Sequence, residues 1–219
     1  MESSQVLVGV CAIVMTLFAL VLALAVVTLD ESFRDAGDSV QNEANSLAEI
    51  VHDVRVFPTG PRLRVDAAVR SYANEVRVHE FAAMRKGRDD PAAARSFDRL
   101  VAVIQSLRPA TNAQKTFFDA GVRATGRVLD ERHRRLVAAT GSLPEAFWVL
   151  ILLTGGMGLA TTVLLRVESI ALEVIMVASV GIVVGAGILT TLLLDYPFSG
   201  SVAVSGKPCA AVSALVSAP

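Results

Sequence analysis

Histidine and cysteine, which often bind metals or act as nucleophiles, are sparse in this sequence. Its three histidines, His52, His79 and His133, are scattered, and no HExxH pattern places two of them on one helix face. Its two cysteines, Cys11 and Cys209, are far apart and form no CxxC pair. The sequence also has no Gly-rich phosphate loop, nucleophile elbow or paired-carboxylate motif. We therefore expect no metal site, no cofactor and no catalytic residue, and the protein is not predicted to be an enzyme.

A basic cluster, Arg132-His133-Arg134-Arg135, precedes a long apolar segment. Arg132, Arg134 and Arg135 are candidates for binding an anion or a lipid headgroup, because basic clusters at membrane boundaries attract anionic groups. The alternative is a solvated face that only sets the orientation of the chain in the membrane.

Four charged residues lie at the edges of the apolar segments. Arg166, Glu168 and Glu173 flank a short connection between two such segments, and Asp195 follows the second. Ionisable groups near a bilayer are costly and often functional, so the first three are candidates for the outer vestibule of a pore. The alternative is a solvated loop whose Arg166 extends to the interface, with Asp195 as an interfacial cap that ends its helix before Pro197.

Small residues recur at helical spacing inside the apolar segments. Thr154, Gly158 and Thr162 repeat every four residues, and Gly181 and Gly185 form a GxxxG pattern. Such spacing clears one helix face for close approach of another backbone, which favours helix packing. The alternative is that these residues line a narrow pore.

Three long uncharged segments must position these residues. They span 6–29, 146–165 and 174–194, and each is long enough to cross a hydrocarbon core of about 30 Å. The last two are separated by a short polar break, so they predict a transmembrane hairpin over 143–194. A signal peptide is the alternative for the first, but its start is not basic and its apolar run is too long.

Residues between 30 and 142 carry most of the charge and predict amphipathic helices. One helix, from about 35 to 56 with Asp38 or Ser39 as cap, has the apolar stripe Val40, Ala44, Leu47, Val51 and Val54. The next has Val65, Val69, Tyr72, Val76, His79 and Ala83. A third starts at the Asp90-Pro91 cap and carries Phe97, Val101 and Ile104. A fourth runs from about Thr111 to Ala139, where Gly141 stops it before Pro144 opens the next helix.

The whole pattern predicts an all-α membrane protein with three transmembrane helices and a four-helix cytoplasmic bundle. The predicted segments are an N-terminal transmembrane helix at 1–29, a helical domain at 30–142, the hairpin at 143–194 and a C-terminal tail at 195–219. The first and fourth domain helices are expected to continue, or nearly so, into the membrane helices beside them. Within the tail, a short helix is predicted from Lys207-Pro208 to Leu215. Because the net charge is −1, we expect no nucleic-acid partner.

Charge asymmetry predicts the orientation of the chain. Three crossings put the domain and the tail on one side, and that side carries the basic cluster at 132–135. Because basic loops favour the cytoplasm, we expect a multi-pass protein of the inner (plasma) membrane with its N-terminus outside and its domain and C-terminus cytoplasmic.

Four segments of the chain resemble, in order, the sequence pattern of a known family. They are VQNEANSL at 40–47, the segment from Leu63 to Phe81 with Tyr72, Val76 and Glu80, the segment from Arg134 to Trp148 with Leu143-Pro144, and LDYPFSG at 194–200. Together they resemble the bacterial bestrophin-like domain family of unknown function. Phe81 stands where that pattern has Trp, and the first apolar segment resembles the family's second membrane span.

This resemblance implies a likeness to bestrophins, which are oligomeric anion channels with helical cytosolic regions. Three uncharged spans cannot enclose a polar pathway alone, so a pore would need several subunits around an axis. The leading hypothesis is therefore an oligomeric anion channel in the lipid bilayer. The alternative is a non-conducting scaffold or accessory subunit of a larger membrane complex.

The predicted orientation can be checked with a protease-sensitive reporter. A reporter fused after Pro219 should be protected from external protease in intact cells, while one fused before Met1 should be cleaved. Cleavage of the C-terminal reporter together with protection of the N-terminal one would reverse the topology.

Overall fold

The computed structural model describes residues 2–141, 143–165, 169–199 and 203–216. Within these ranges the regular structure is helical and no strand occurs. A 3-10 turn, Val54–Val56, follows the first helix, and a π-helical turn, Val76–Glu80, joins the second helix to the third. The helices are α1 Glu2–Asp53, α2 Thr59–Glu75, α3 Phe81–Met84, α4 Pro91–Gln105, α5 Asn112–Ala138, α6 Glu145–Leu164, α7 Ile170–Asp195 and α8 Lys207–Leu215.

The predicted all-α class with three membrane-spanning helices is confirmed. By length and composition, α1, α6 and α7 are long and apolar enough to cross a membrane. The bundle arrangement of the remaining helices and the four-segment division of the chain stay predictions.

The chain divides into two compact units. Residues 1–32 and 142–195 form the membrane unit, and residues 33–141 and 196–219 form the helical unit. The C-terminal segment thus belongs to the same unit as the charged middle of the chain, and α1 contributes residues to both units.

Helix α1 is longer than the amphipathic pattern alone predicts. The sequence predicts a new helix capped by Asp38 or Ser39, but both residues lie inside the 52-residue α1. Ser39 is buried, on the same helix as the buried residues Ala36 and Val40. The predicted cap is wrong because nothing between residues 30 and 40 breaks the helix, and the expected continuity with the first span is confirmed.

At the other end of the helical domain, a short connection separates the domain helix from the membrane helix. Helix α5 ends at Ala138, and α6 begins only at Glu145. Gly141 has a φ of 93°, which is a left-handed conformation that glycine adopts without strain. Pro144 then stands at the N-cap of α6, as the Gly141 and Pro144 signals predict.

The helical unit is built around apolar residues from every long helix in it. The packing of α2 against α4 and α8 is prominent in this core. The predicted start of α4 is confirmed, because the Asp90 carboxylate accepts a hydrogen bond from the Ala92 N–H at 2.9 Å. Helix α8 occupies the residues that the sequence predicts. The most deeply buried core residues include Val40, Leu47, Ile50, Val65, Val69, Tyr72, Val76, Leu100, Val128 and Cys209.

The membrane unit has a smaller apolar core that depends on one glycine. Phe18 and Val21 of α1 cluster with Ile151 of α6 and Val184 of α7. A Cβ atom at Gly155 would lie 3.1 Å from both the Phe18 ring and the Val184 side chain. Glycine at this position lets α6 approach its two neighbours closely.

We expect Gly155→Leu to destabilise the membrane unit by about 1–3 kcal/mol, because the added side chain overpacks the contact with Phe18 and Val184. The matched control is Gly156→Leu, since a Cβ at Gly156 meets nothing within 4 Å. Thermal unfolding of both variants in detergent checks this. Equal midpoints for the two variants would contradict the assignment of the contact.

Candidate functional site

A fully buried arginine lies at the centre of the helical unit. Arg135 of α5 is 0% exposed. Its Nε donates to Glu43 Oε2 at 2.8 Å, and its Nη2 donates to Glu80 Oε2 at 2.6 Å. A second bond joins Nη2 to Glu43 Oε1 at 3.3 Å. One guanidinium therefore bridges two carboxylates that are themselves fully buried.

Two further side chains complete this cluster. The Tyr72 hydroxyl donates to Glu43 Oε1 at 2.5 Å, and Arg132 Nη2 donates to Glu80 Oε1 at 2.5 Å. Each carboxylate thus accepts from Arg135 and from one additional donor. We call the five residues Glu43, Tyr72, Glu80, Arg132 and Arg135 the Arg135 network. Its two arginines and two glutamates balance in charge, as buried ions require.

Aromatic and sulfur contacts cover the remaining surface of the guanidinium. The Arg135 Cζ lies 5.5 Å from the centroid of the Phe81 ring, within cation–π range. Arg135 Nη1 contacts the Met84 sulfur at 2.9 Å. Phe198 packs edge-on against Phe81 with ring centroids 5.8 Å apart. These groups exclude water from the ion pairs.

The π-helical turn explains how Glu80 reaches the network. Val76–Glu80 carries one extra residue per turn between α2 and α3. The α-helical stripe through Val76 predicts that His79 lies on the buried face, but His79 is exposed and Glu80 is 0% exposed. The prediction for His79 is wrong because the π turn shifts the helix register by one residue.

Burial and neighbouring charges set the protonation of the network. Burial raises the pKa of Tyr72 well above its usual range, and the Glu43 carboxylate raises it further. Burial alone would lower the pKa of Arg135, but the carboxylates of Glu43 and Glu80 outweigh it, so that pKa is raised. Tyr72 therefore stays a protonated donor and Arg135 a cation at physiological pH.

The C-terminal segment packs onto the same site. Cys209 of α8 is fully buried, and burial, with the nearby Glu43 carboxylate, raises the pKa of its thiol to about 12. Gly206 lies against the Phe81 ring, where a Cβ would meet the ring at 3.5 Å. The Arg70 guanidinium donates to the Val216 carbonyl at 2.7 Å and ties down the end of α8. The thiol therefore stays protonated at physiological pH and packs as an apolar group.

All four segments that carry the family resemblance contribute a residue to the Arg135 network or to the aromatic side chains that cover it. VQNEANSL supplies Glu43, the 63–81 segment supplies Tyr72 and Glu80, the 134–148 segment supplies Arg135, and LDYPFSG supplies Phe198. Sequence reasoning missed Glu43, Tyr72 and Glu80 as a site. The sequence signal that indicated a buried polar site was Glu43, a glutamate three residues after Val40 on an otherwise apolar helix face.

The three arginine candidates occupy different environments. Arg135 is enclosed by Glu43 and Glu80, and the Arg132 side chain is 11% exposed beside Glu80. The Arg134 side chain is 69% exposed and lies 3.4 Å from Glu131. Anion or headgroup binding by these arginines stays a prediction, and Arg134 is the one whose guanidinium faces solvent.

In the membrane unit, Asp195 joins the ends of two helices. Its Oδ1 accepts from the Leu143 N–H at 2.8 Å, and its Oδ2 accepts from the Trp148 indole Nε1 at 3.3 Å. Asp195 is the last residue of α7 and is buried, while Leu143 and Trp148 flank the start of α6. The segment from Leu143 to Trp148 is thereby hydrogen-bonded to the Leu194-Asp195 pair.

The threonine and glycine candidates of α6 lie in helix contacts. The hydroxyls of Thr154 and Thr162 donate to the carbonyls of Leu150 and Gly158, each at 2.7 Å. Both threonines are buried. Met15 of α1 occupies the space where a Cβ of Gly158 would stand, so this glycine admits the α1 side chain.

The remaining membrane candidates differ from that pattern. A Cβ at Gly181 would lie 3.9 Å from Leu159, and one at Gly185 would meet nothing within 4 Å. Glu173 lies in the first turn of α7, where the helix dipole favours a carboxylate. Arg166 and Glu168 lie outside the described residues. Pore lining, intermolecular packing and vestibule roles for these residues stay predictions.

Metal ligands do not converge in the part of the chain that the structure describes. No group of three or more His, Cys, Asp or Glu residues there could hold a metal ion. The carboxylates of the Arg135 network are instead satisfied by arginine and tyrosine donors.

Comparison with known proteins identifies the architecture. The family model for the bestrophin-like domain matches residues 2–209, which confirms the predicted resemblance. A bacterial bestrophin homologue from Klebsiella pneumoniae, solved by crystallography as a leucine-to-threonine variant, is similar in structure. The TM-score is 0.77 at 11% sequence identity, over 95% of this chain and 86% of the other. At that identity the likeness shows the fold. No curated protein matches the sequence.

We expect Arg135→Met to destabilise the protein by about 3–5 kcal/mol, because it leaves Glu43 and Glu80 buried with too little positive charge. The control is Arg134→Met at the adjacent exposed position, which should change stability by no more than about 0.5 kcal/mol. Unfolding in detergent, followed by circular dichroism, measures both. Adding Glu43→Gln to Arg135→Met should recover part of the loss, and an Arg135→Met protein as stable as Arg134→Met would contradict the role of the network.

Proposed function

We propose that this chain, which belongs to the bestrophin-like family, forms a homo-oligomeric membrane channel for small anions. Bestrophins as a group are anion channels, and the fold similarity extends over 95% of this chain. Family and fold support the architecture of such a channel, while conduction by this chain is the part that we propose.

The oligomeric part of the proposal rests on the apolar outer surface of the membrane helices. Almost none of the most apolar stretch of α7 is buried within the chain, and large side chains such as Ile175 and Ile182 are exposed. The exposed surface of α6 is similar, with Val149 and Leu153 facing outward. Because such surfaces cannot border an aqueous pathway within one chain, a pathway would form only where several copies meet around an axis.

Gly181 and Gly185 of α7 are our candidates for the contact between copies. Their spacing allows close approach of a second helix. Among the described residues, no atom outside the backbone of α7 itself lies within 4 Å of a Cβ at Gly185. The contact that Gly155 and Gly158 make within the chain has no equivalent at Gly185. This supports a role for the Gly185 face outside the single chain.

The proposed channel lies in the plasma membrane with the helical unit in the cytoplasm. The basic cluster at 132–135 supports this orientation, and its exposed member Arg134 is available to an anion or headgroup at the cytoplasmic side.

A non-conducting scaffold or accessory subunit is the second candidate, and one observation favours it. The hydroxyls of Thr154, Thr161, Thr162, Thr190 and Thr191 all donate to carbonyls of their own helices. An anion needs hydrogen-bond donors along its path, and these hydroxyl protons are already engaged. A scaffold needs no such path, since it needs only an apolar face matched to its partner.

Chloride efflux from liposomes that contain the purified protein tests the proposal. We expect efflux above that of empty liposomes, and we expect Gly185→Leu and Gly181→Leu to abolish it together with the oligomer. Gly9→Leu, at an equally open glycine of α1, is the matched control and should conduct. Oligomeric mass is measured in the same detergent.

The outcomes separate the two candidates. A homogeneous, folded oligomer without efflux would exclude the channel and favour the scaffold. An intact oligomer in Gly185→Leu and Gly181→Leu would exclude the proposed interface.

A further inference from the structure

A cavity of about 400 Å³ lies in the helical unit beside the end of α5. On one side is the turn Gly87-Arg88-Asp89, which follows α3, and on the other are the last turns of α5 and the two residues after it. Gly87 has a φ of 64°, which turns the chain sharply before Asp90 caps α4. The volume is within the range of small-ligand sites, which is about 300–1,000 Å³.

Three charged or titratable side chains line this cavity. Arg88 and Asp89 come from the turn and His133 from α5. Among the described residues, none of the three side chains has a hydrogen-bond or ion-pair partner, in contrast to the satisfied Arg135 network. Arg88 and His133 are donors for an anionic oxygen group. Asp89 is an acceptor for a cation.

The end of α5 adds polarity to the same space. Helix α5 has 27 residues and ends at Ala138, and its last carbonyls carry the negative end of the helix dipole. Thr140, also in the lining, donates its hydroxyl proton to the Val137 carbonyl at 2.8 Å. Its oxygen lone pairs therefore remain available as acceptors. This end of the cavity suits a cation such as an ammonium group.

The rest of the lining is apolar. Leu136, Val137 and Ala139 form the wall between the charged groups, and the Val137 side chain is more than half exposed. A ligand with hydrocarbon beside its charged groups would cover this wall. Thr140 also lies five residues before Glu145, the first residue of a helix long and apolar enough to span a membrane.

We infer that this cavity binds a zwitterionic phosphate ligand of the phosphoethanolamine type. The phosphate group pairs with Arg88 and His133, and the ammonium group pairs with Asp89 and the carboxyl end of α5. A phospholipid headgroup and free phosphoethanolamine share this chemistry. The inference is independent of whether the protein conducts ions.

Isothermal titration of the full-length protein in detergent with dihexanoyl-phosphatidylethanolamine tests the inference. We expect saturable binding, about tenfold weaker in Arg88→Gln and in Asp89→Asn, which corresponds to about 1.4 kcal/mol for each lost charge pair. Because both side chains are exposed and unpartnered, the variants should keep the thermal midpoint of the parent protein. Arg99→Gln, at an exposed arginine of α4 outside the cavity, should bind like the parent protein.

A comparison of ligands tests the ammonium pairing and identifies the source. Dihexanoyl-phosphatidylglycerol lacks the ammonium group, so it should bind more weakly and be insensitive to Asp89→Asn. Free phosphoethanolamine that competes as well as the lipid would identify a soluble ligand, and weaker competition would identify the lipid. Equal binding of the two lipids, or parent-like affinity in Arg88→Gln and Asp89→Asn, would overturn the inference.

Discussion

The buried guanidinium of Arg135 is the constraint on which the helical unit depends. Removing a guanidinium and two carboxylates from water is costly, and the cost is offset only if every charged atom meets a partner in good geometry. Those partners come from α1, from the π turn after α2 and from α5. The three elements must therefore adopt one register, since a shift of a single residue on any of them would leave a charge unpaired.

This constraint also explains where the sequence pattern was informative and where it was not. Local signals predicted α4 from Asp90-Pro91, the end of α5 from Gly141 and the position of α8, because each signal acts within a few residues. The π turn at Val76–Glu80 has no such signal. It exchanges His79 for Glu80 on the buried face, so a period of 3.6 residues identified the wrong side chain.

The membrane helices likewise have features that the sequence predicts and features that it does not. Their existence follows from long uncharged segments, which hydropathy detects without any tertiary information. Which small residues pack within the chain cannot be read from spacing, because Thr154-Gly158-Thr162 and Gly181-Gly185 have the same four-residue period. The structure places Gly158 against Met15 and leaves Gly185 open. The hydrogen bonds of Asp195 are similarly a tertiary feature, since its partners Leu143 and Trp148 lie far from it in sequence.

The charges that stabilise the helical unit are thereby separated from those that remain available to a ligand. The Arg135 network is neutral and is covered by Phe81, Phe198 and Cys209. The Arg135 guanidinium and the Tyr72 hydroxyl are engaged, so they offer nothing to a ligand without local opening, while the buried Arg132 Nε has no hydrogen-bond partner among the described residues. Groups that can act on a ligand must have unused hydrogen-bonding capacity. In the helical unit, Arg88, Asp89 and His133 meet this condition beside a cavity. The network acts on them indirectly, because Arg135 holds the helix that carries His133 in one register.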